Sequence, residues 1–209
     1  PRVCSSAAAG TCAVDNRGHG THCAGSVGGA TYGVAKGAAI HGVKIFDDDG
    51  NGKRSWTVLA MDWVVSFGQR PAVMSMSLSS EGESQAHSDA VDAAVAAGIT
   101  VVVAAGNQDI DACGRTPARV PAAITVAAID HSDSRSSFSN YGSCVDIFAP
   151  GTTTESTTHE NDFGAGMRSG TSIATPYVAG AAAWLLSIDP SLTPAQVAAI
   201  LTSRATRDA

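Results

Sequence analysis

Short apolar runs and helical stripes alternate along this chain. IHGVKIF (40–46), AVMSMSL (72–78), ITVVVAA (99–105), AITVAAI (123–129) and VDIF (145–148) are rich in Val and Ile and read as buried strands. Between them, residues 55–68 place Trp56, Leu59, Trp63 and Phe67 at helical spacing. Residues 85–98 form a second helical pattern that closes on Gly98, a residue suited to the left-handed turn after a helix. Thr193-Pro194-Ala195-Gln196 is a capping box with Pro at the first helical position and opens a last helix. Residues 151–170 are polar and rich in Gly and Thr, so a long surface loop is expected there. Strand and helix in alternation predict an α/β fold: a mostly parallel sheet with helices on both faces.

Composition narrows this picture. The 209 residues are enough for one domain with a sizeable core; 44% are apolar and 15% charged, which fits a compact globular protein rather than a disordered one. The formal charge of -6 and the lack of a basic run argue against nucleic acid as a partner. The apolar runs are read as too short to span a bilayer, so no membrane partner is expected. The chain opens on Pro1 without a Met or a signal-peptide pattern, which predicts a processed product or a fragment. The five cysteines, Cys4, Cys12, Cys23, Cys113 and Cys144, match no zinc-ligand spacing and are too few for a disulfide scaffold. One or two disulfides in a secreted protein is the expectation.

Three motifs carry chemistry. In NRGHGTHCAG, His19 sits between two glycines with His22 three positions on. A metal pair lacks a third ligand there, and His19 reads as a general base open to close approach. In VVVAAGNQ, a buried strand delivers Asn107 past its carboxyl end, where ligand sites of parallel sheets collect; the amide closes a turn or donates to an oxyanion. In GTSIATP, Ser172 begins an Ala-rich helix. It suits a helix cap, and it equally suits a nucleophile beside free backbone N–H groups and the positive helix end. Acyl transfer needs a base, an oxyanion donor and a nucleophile, and the three motifs supply one each. An α/β hydrolase would need G-x-S-x-G and a dinucleotide binder an early G-x-G-x-x-G; neither stands where it is needed.

HGTHCAG, AAGN and GTSIATP closely resemble the His, Asn and Ser motifs of the subtilisin-like serine proteases. The resemblance extends to TYGVAKG (31–37), SSFSNYGS (136–143) and FAPGT (148–152), and is strongest to the proteinase K-like branch of secreted endopeptidases. It implies His19 as general base, Ser172 as nucleophile, and Asn107 with the Ser172 N–H as oxyanion hole. It implies polypeptide substrates, paired as an extended strand between Gly50-Asn51-Gly52 and Ser77-Leu78-Ser79. Ala104, Ala105 and Gly106 would wall a pocket for an apolar or aromatic side chain before the scissile bond. It further implies no cofactor for catalysis, a structural calcium held by the Pro121 and Ala123 carbonyls and Asp146, a monomer, and a secreted location. Cys113 and Cys144 match a disulfide of some bacterial members, and Cys23 a free thiol; Cys4 and Cys12 have no match.

The family pattern breaks in three places. Its triad Asp lies upstream of the His on a strand, followed by Thr-Gly or Ser-Gly. Here only Asp15 precedes His19, in a polar loop. The expectation is therefore a single, incomplete peptidase domain over 1–209 whose first strands and triad Asp are missing, feeble or inactive by itself. Ser79 and Ser80 stand where Gly-Gly is usual, which could narrow the pocket, and Tyr177 stands for a usual His, a packing change. The rival reading is a catalytically inert relative that still binds peptide; retention of His19, Asn107 and Ser172 together speaks against it.

Overall fold

The structure is a computed structural model that describes residues 13–207. Cys4 and Cys12 lie outside the described residues. Four parallel strands form the central sheet: β1 (Ala72–Met76), β3 (Ile99–Ala104), β5 (Ile124–Ile129) and β6 (Ile147–Pro150), in the order β1-β3-β5-β6. The register pairs Met76 with Val103 and Ala104 with Val126. Two small antiparallel ribbons flank it. One joins β2 (Ser80–Glu81) to β4 (Arg115–Thr116), the other β7 (Thr154–Thr157) to β8 (Ala165–Arg168).

The continuous apolar run of β3 is explained by burial on both faces, since its side chains alternate between two cores. Ile99, Val101 and Val103 pack with Met61 of helix α2 (Arg54–Phe67) and with Val91 and Ala94 of α3 (Gln85–Ala96). Val102 faces the other way. With Ile124, Val126 and Ala128 it meets Ala174 and Val178 of α4 (Thr171–Ile188). Helix α1 (His19–Gly28) lies beside α4, and α5 (Pro194–Arg204) packs Val197 under Ala182 and Leu186. Helices therefore cover both faces, as the alternating pattern predicts. Gly98 takes φ +80° after α3, and Thr193 forms the expected capping box with Gln196.

Four expectations need correction. Residues 40–46 are not a strand: Ile40 and Val43 are 44% and 40% exposed, and only Phe46 makes a bridge, to Gly52. A β-branched run becomes a buried strand only with partners on its edges, and among the described residues this one has none. The segment 151–170 is not one loop, because β7 and β8 pair within it. On α2, Leu59, Trp63 and Phe67 face outward, Phe67 71% exposed, while Thr57 and Met61 are buried. Finally, α4, with 18 residues and a mean hydropathy of 1.3, is long and apolar enough by composition to cross a membrane. Its packing against the sheet accounts for that composition.

Candidate active site

The site forms at the carboxyl ends of β1 and β3, where the amino end of α4 meets α1. A cavity of about 240 Å³ is lined there by His19, Leu78, Ser79, Gly106, Asn107 and Ser172, with Ser77, Ala104, Gln108 and Thr171 completing it. His19, Asn107 and Ser172, far apart in the chain, thus share one cavity.

Gly170 shows how closely the polar atoms converge. A Cβ placed on it would stand 2.9 Å from Ser172 Oγ, 3.5 Å from Asn107 Nδ2 and 3.7 Å from the Ser172 backbone N. Only glycine keeps this corner open, and its φ of +151° belongs to a backbone region that side chains disfavour. Thr171 sets the Asn107 amide. Its N–H and its hydroxyl both donate to Asn107 Oδ1, at 2.8 and 2.9 Å. The oxygen end is therefore occupied, and the NH₂ end lies at the Gly170 corner with Ser172 Oγ. Thr171 Oγ1 in turn accepts from Gly106 N at 3.1 Å.

Pro176 explains the setting of Ser172. It lies inside α4, at the position whose N–H would bond the Ser172 carbonyl, and proline has none. The freed carbonyl accepts instead from Ser77 Oγ at 2.7 Å and from Cys23 Sγ at 3.3 Å. Cys23 is a free thiol, and burial pushes it up to about 11, so it stays protonated as this donor.

His19 stands at the start of α1 and is partly buried. Burial, the Arg168 guanidinium and His22 hold its pKa below the ordinary histidine value, while the Asp15 charge acts in the opposite sense. Asp15 does not orient the ring. Its Oδ1 accepts from the N–H groups of Arg17 and Gly18, and its Oδ2 from the N–H and hydroxyl of Thr21. Both oxygens are consumed in tying down the first turn of α1, which makes Asp15 a cap. His22 is fully buried, with Nε2 3.1 Å from both Thr154 O and Gly166 O.

The remaining expected residues divide. Ser77, Leu78, Ser79, Ala104 and Gly106 line the cavity with His19, Asn107 and Ser172. Ala105 does not; it is fully buried in a cluster with Ala112, Ala118 and Ala127. Gly50, Asn51 and Gly52 lie in an exposed turn organised by Asp47, whose Oδ1 accepts from the N–H groups of Asp49 and Asn51, and they do not reach the cavity. Pro121 and Ala123 precede β5, and Asp146 precedes β6. The Asp146 carboxylate accepts from Thr125 N at 2.7 Å, and burial holds its pKa above the ordinary value. Tyr177, partly buried, packs against the core cluster alongside Val27 of α1. Cys113 and Cys144 are joined in a disulfide.

Sequence reasoning missed Thr171, Pro176, Gln108 and Asn140. Asn140 is fully buried, donates to Ala105 O and accepts from the N–H groups of Gln108 and Ile110, so it holds the loop that follows β3. An Asn among serines in SSFSNYGS reads as a turn residue, and only its burial shows the hub.

With this geometry, the comparisons with known proteins agree. The Subtilase family matches over residues 4–209, and the chain belongs to that family. It is 51% identical to an extracellular serine proteinase of Thermus sp. (strain Rt41A) over 94% of this chain and 48% of the relative. It is 44% identical to a cuticle-degrading protease of Metarhizium anisopliae, over 93% of this chain and 50% of that one. The solved structure of a cold-adapted subtilisin-like serine proteinase superposes with a TM-score of 0.90 at 47% identity, covering 93% of this chain and 70% of that chain. The chain spans about half the length of these two curated relatives.

Proposed function

We propose that the protein is a secreted serine endopeptidase, with the described residues 13–207 belonging to a single peptidase domain. The observation that carries this reading is the convergence of Ser172 Oγ, the Ser172 N–H and Asn107 Nδ2 around Gly170, in a cavity shared with His19. Ser172 Oγ attacks the scissile carbonyl carbon while His19 takes its proton. The oxyanion that forms is held by Asn107 Nδ2 and the Ser172 N–H. His19 then protonates the leaving amine, and water, activated by the same imidazole, releases the acyl group from Ser172. Relatives named as extracellular and cuticle-degrading proteases support a secreted location and polypeptide substrates.

The substrate lies extended along Ser77-Leu78-Ser79, which line the cavity. Specificity is broad. The small residues Ala104 and Gly106 favour apolar or aromatic side chains before the scissile bond. The chain acts as a monomer, without nucleic acid or membrane and without a catalytic cofactor. Calcium, if bound, supplies structural cross-linking through the Pro121 and Ala123 carbonyls and Asp146. A carboxylate that accepts from one backbone donor, Thr125 N, keeps lone pairs for a hard cation that prefers mixed oxygen ligands. Among the described residues no group of three His, Cys, Asp or Glu side chains offers another metal site.

A second reading, a catalytically inert peptide binder, is favoured by one observation: the upstream carboxylate nearest His19 in sequence, Asp15, is fully engaged as a helix cap. Without an acceptor to orient it, the imidazole adopts the wrong tautomer, and loss of the orienting Asp costs a subtilisin about 3 × 10⁴ in kcat. Intact mass after fluorophosphonate treatment separates the two. Labelling of the protein but not of Ser172→Ala supports the peptidase. A folded protein that takes no label overturns it and leaves the binder.

A further inference from the structure

His22 has no part in the acyl-transfer chemistry, yet it is completely buried and makes an unusual set of bonds. Its Nε2 lies 3.1 Å from Thr154 O and 3.1 Å from Gly166 O. Both partners are carbonyl oxygens, which only accept, so Nε2 carries the ring hydrogen and shares it between them. Nδ1 is then a bare acceptor, and it is buried without a partner. A buried polar atom left without a partner forfeits its hydration and gains nothing in return. An apolar side chain of similar size would fill the space without that cost, so filling space does not account for a histidine here.

The two carbonyls belong to opposite strands of one ribbon. Thr154 lies on β7 and Gly166 on β8, and the ribbon is clasped to α1 from its own side as well. Ser156 Oγ donates to His22 O and Thr157 Oγ1 to Thr21 O, each at 2.9 Å. The Arg168 guanidinium donates to Arg17 O at 2.8 Å. Gly25 lets the two elements touch, since a Cβ there would come within 2.6 Å of Ser156 Oγ. Helix α1 carries His19 three residues before His22. Strand β8 ends at Arg168, four residues before Ser172.

We propose that His22 is the positioning residue of this site, its forked N–H locking the helix that carries His19 onto the ribbon that delivers Ser172. The inference rests on the peptidase reading for its consequence, while the lock itself is a matter of structure alone. Neither His22 nor Thr154 nor Gly166 lines the cavity. Losing the lock lets base and nucleophile drift apart, and a misplacement of about 1 Å at a reacting centre costs on the order of 100-fold.

The test compares wild type, His22→Ala and His22→Gln, whose amide N–H can reach the same carbonyls. The measurements are the fluorophosphonate labelling rate of Ser172, the melting temperature, and hydrogen exchange at the Ser172 and Ile173 amides. The expected result is labelling slowed about 10- to 100-fold in folded His22→Ala, faster exchange at both amides, and recovery of most of both in His22→Gln. Unchanged labelling and exchange in folded His22→Ala overturn the proposal. So does an equal loss in both variants that merely follows the melting temperature. If His22→Ala does not fold, nitrogen NMR of the wild-type ring decides: hydrogen on Nε2 with a bare Nδ1 supports the lock, and the reverse tautomer overturns it. A wild type that takes no label counts against the peptidase reading, whereas exchange and tautomer still judge the lock.

Discussion

Thr171 donates both its N–H and its hydroxyl to Asn107 Oδ1, which leaves the amide nitrogen facing Ser172. The proposed oxyanion donor, Asn107, is thus held in orientation by the residue that precedes the proposed nucleophile, Ser172. Thr171→Val keeps the shape and the backbone bond but removes the hydroxyl. The expected result is a loss of about 10-fold in the Ser172 labelling rate, against about 10²–10³ for Asn107→Leu, which removes the donor itself. Intact-mass kinetics on the two variants check the order.

The pH profile follows from His19. Burial, Arg168 and His22 hold its pKa below the ordinary value, so the base is free over a wider acid range than an exposed histidine would be. Labelling is expected to rise with pH through a midpoint below that of a free histidine. Arg168→Gln removes a cation that disfavours the imidazolium, so the midpoint moves up. A downward shift would contradict the assigned cause.

Ser79 lines the cavity. Its hydroxyl stands 3.1 Å from where a Gly106 Cβ would be, across the slot between the two walls, and accepts from Arg115 Nε at 3.3 Å. Ser79→Gly opens the slot. Peptide boronic acids ending in Phe are expected to gain about 10-fold in affinity relative to those ending in Ala, since a methylene in a hydrophobic pocket is worth about 1–3 kcal/mol. Calorimetric titration of both proteins with both ligands measures it.

Asp15 links stability to acid. Burial raises its pKa, but the hydrogen bonds from Thr21, Arg17 and Gly18 outweigh that and bring it down to about 2. Because the folded value lies below the unfolded one, its stabilising contribution is present above the ordinary carboxylate pKa. It is lost as pH falls toward about 2. Asp15→Ala should cost about 1 kcal/mol near neutrality, in line with other helix caps, and the difference from wild type should fade in acid melts.

The Cys113–Cys144 disulfide closes a loop of separation 31 that contains β4, β5 and Asn140. Chain-entropy reasoning gives it about 3.7 kcal/mol of stabilisation. Cys113→Ser/Cys144→Ser should melt earlier by a corresponding margin, measured by calorimetry without reductant.

Much of the fold was legible in the sequence because its signals are local. Ile99–Ala104 is apolar at every position and long enough only for a strand, and the Thr193 box names its own helix start. His19, Asn107 and Ser172 stood out as candidates because each sits in a short motif with glycines around it, and the structure brings all three to one cavity. What was not legible depends on neighbours. Residues 40–46 carry a strand-like pattern, but a pattern cannot supply a partner strand. Asn140 and Thr171 act through burial and through bonds to residues 30 or more positions away, which no local spacing encodes. His22 presents the helical spacing of a metal pair with His19, and only the carbonyls of a ribbon more than a hundred residues on show its use.

Proline at position 176 does more than interrupt a ladder. Helices breathe, and their first turns fray before their middles do. By withholding one hydrogen from the carbonyl of Ser172, Pro176 hands that carbonyl to Ser77, at the end of β1, and to Cys23, on α1. The serine therefore belongs mechanically to the sheet and to its neighbouring helix, and only nominally to the one it begins. Its backbone is pinned by three elements at once, so the place of this residue is set by where they meet.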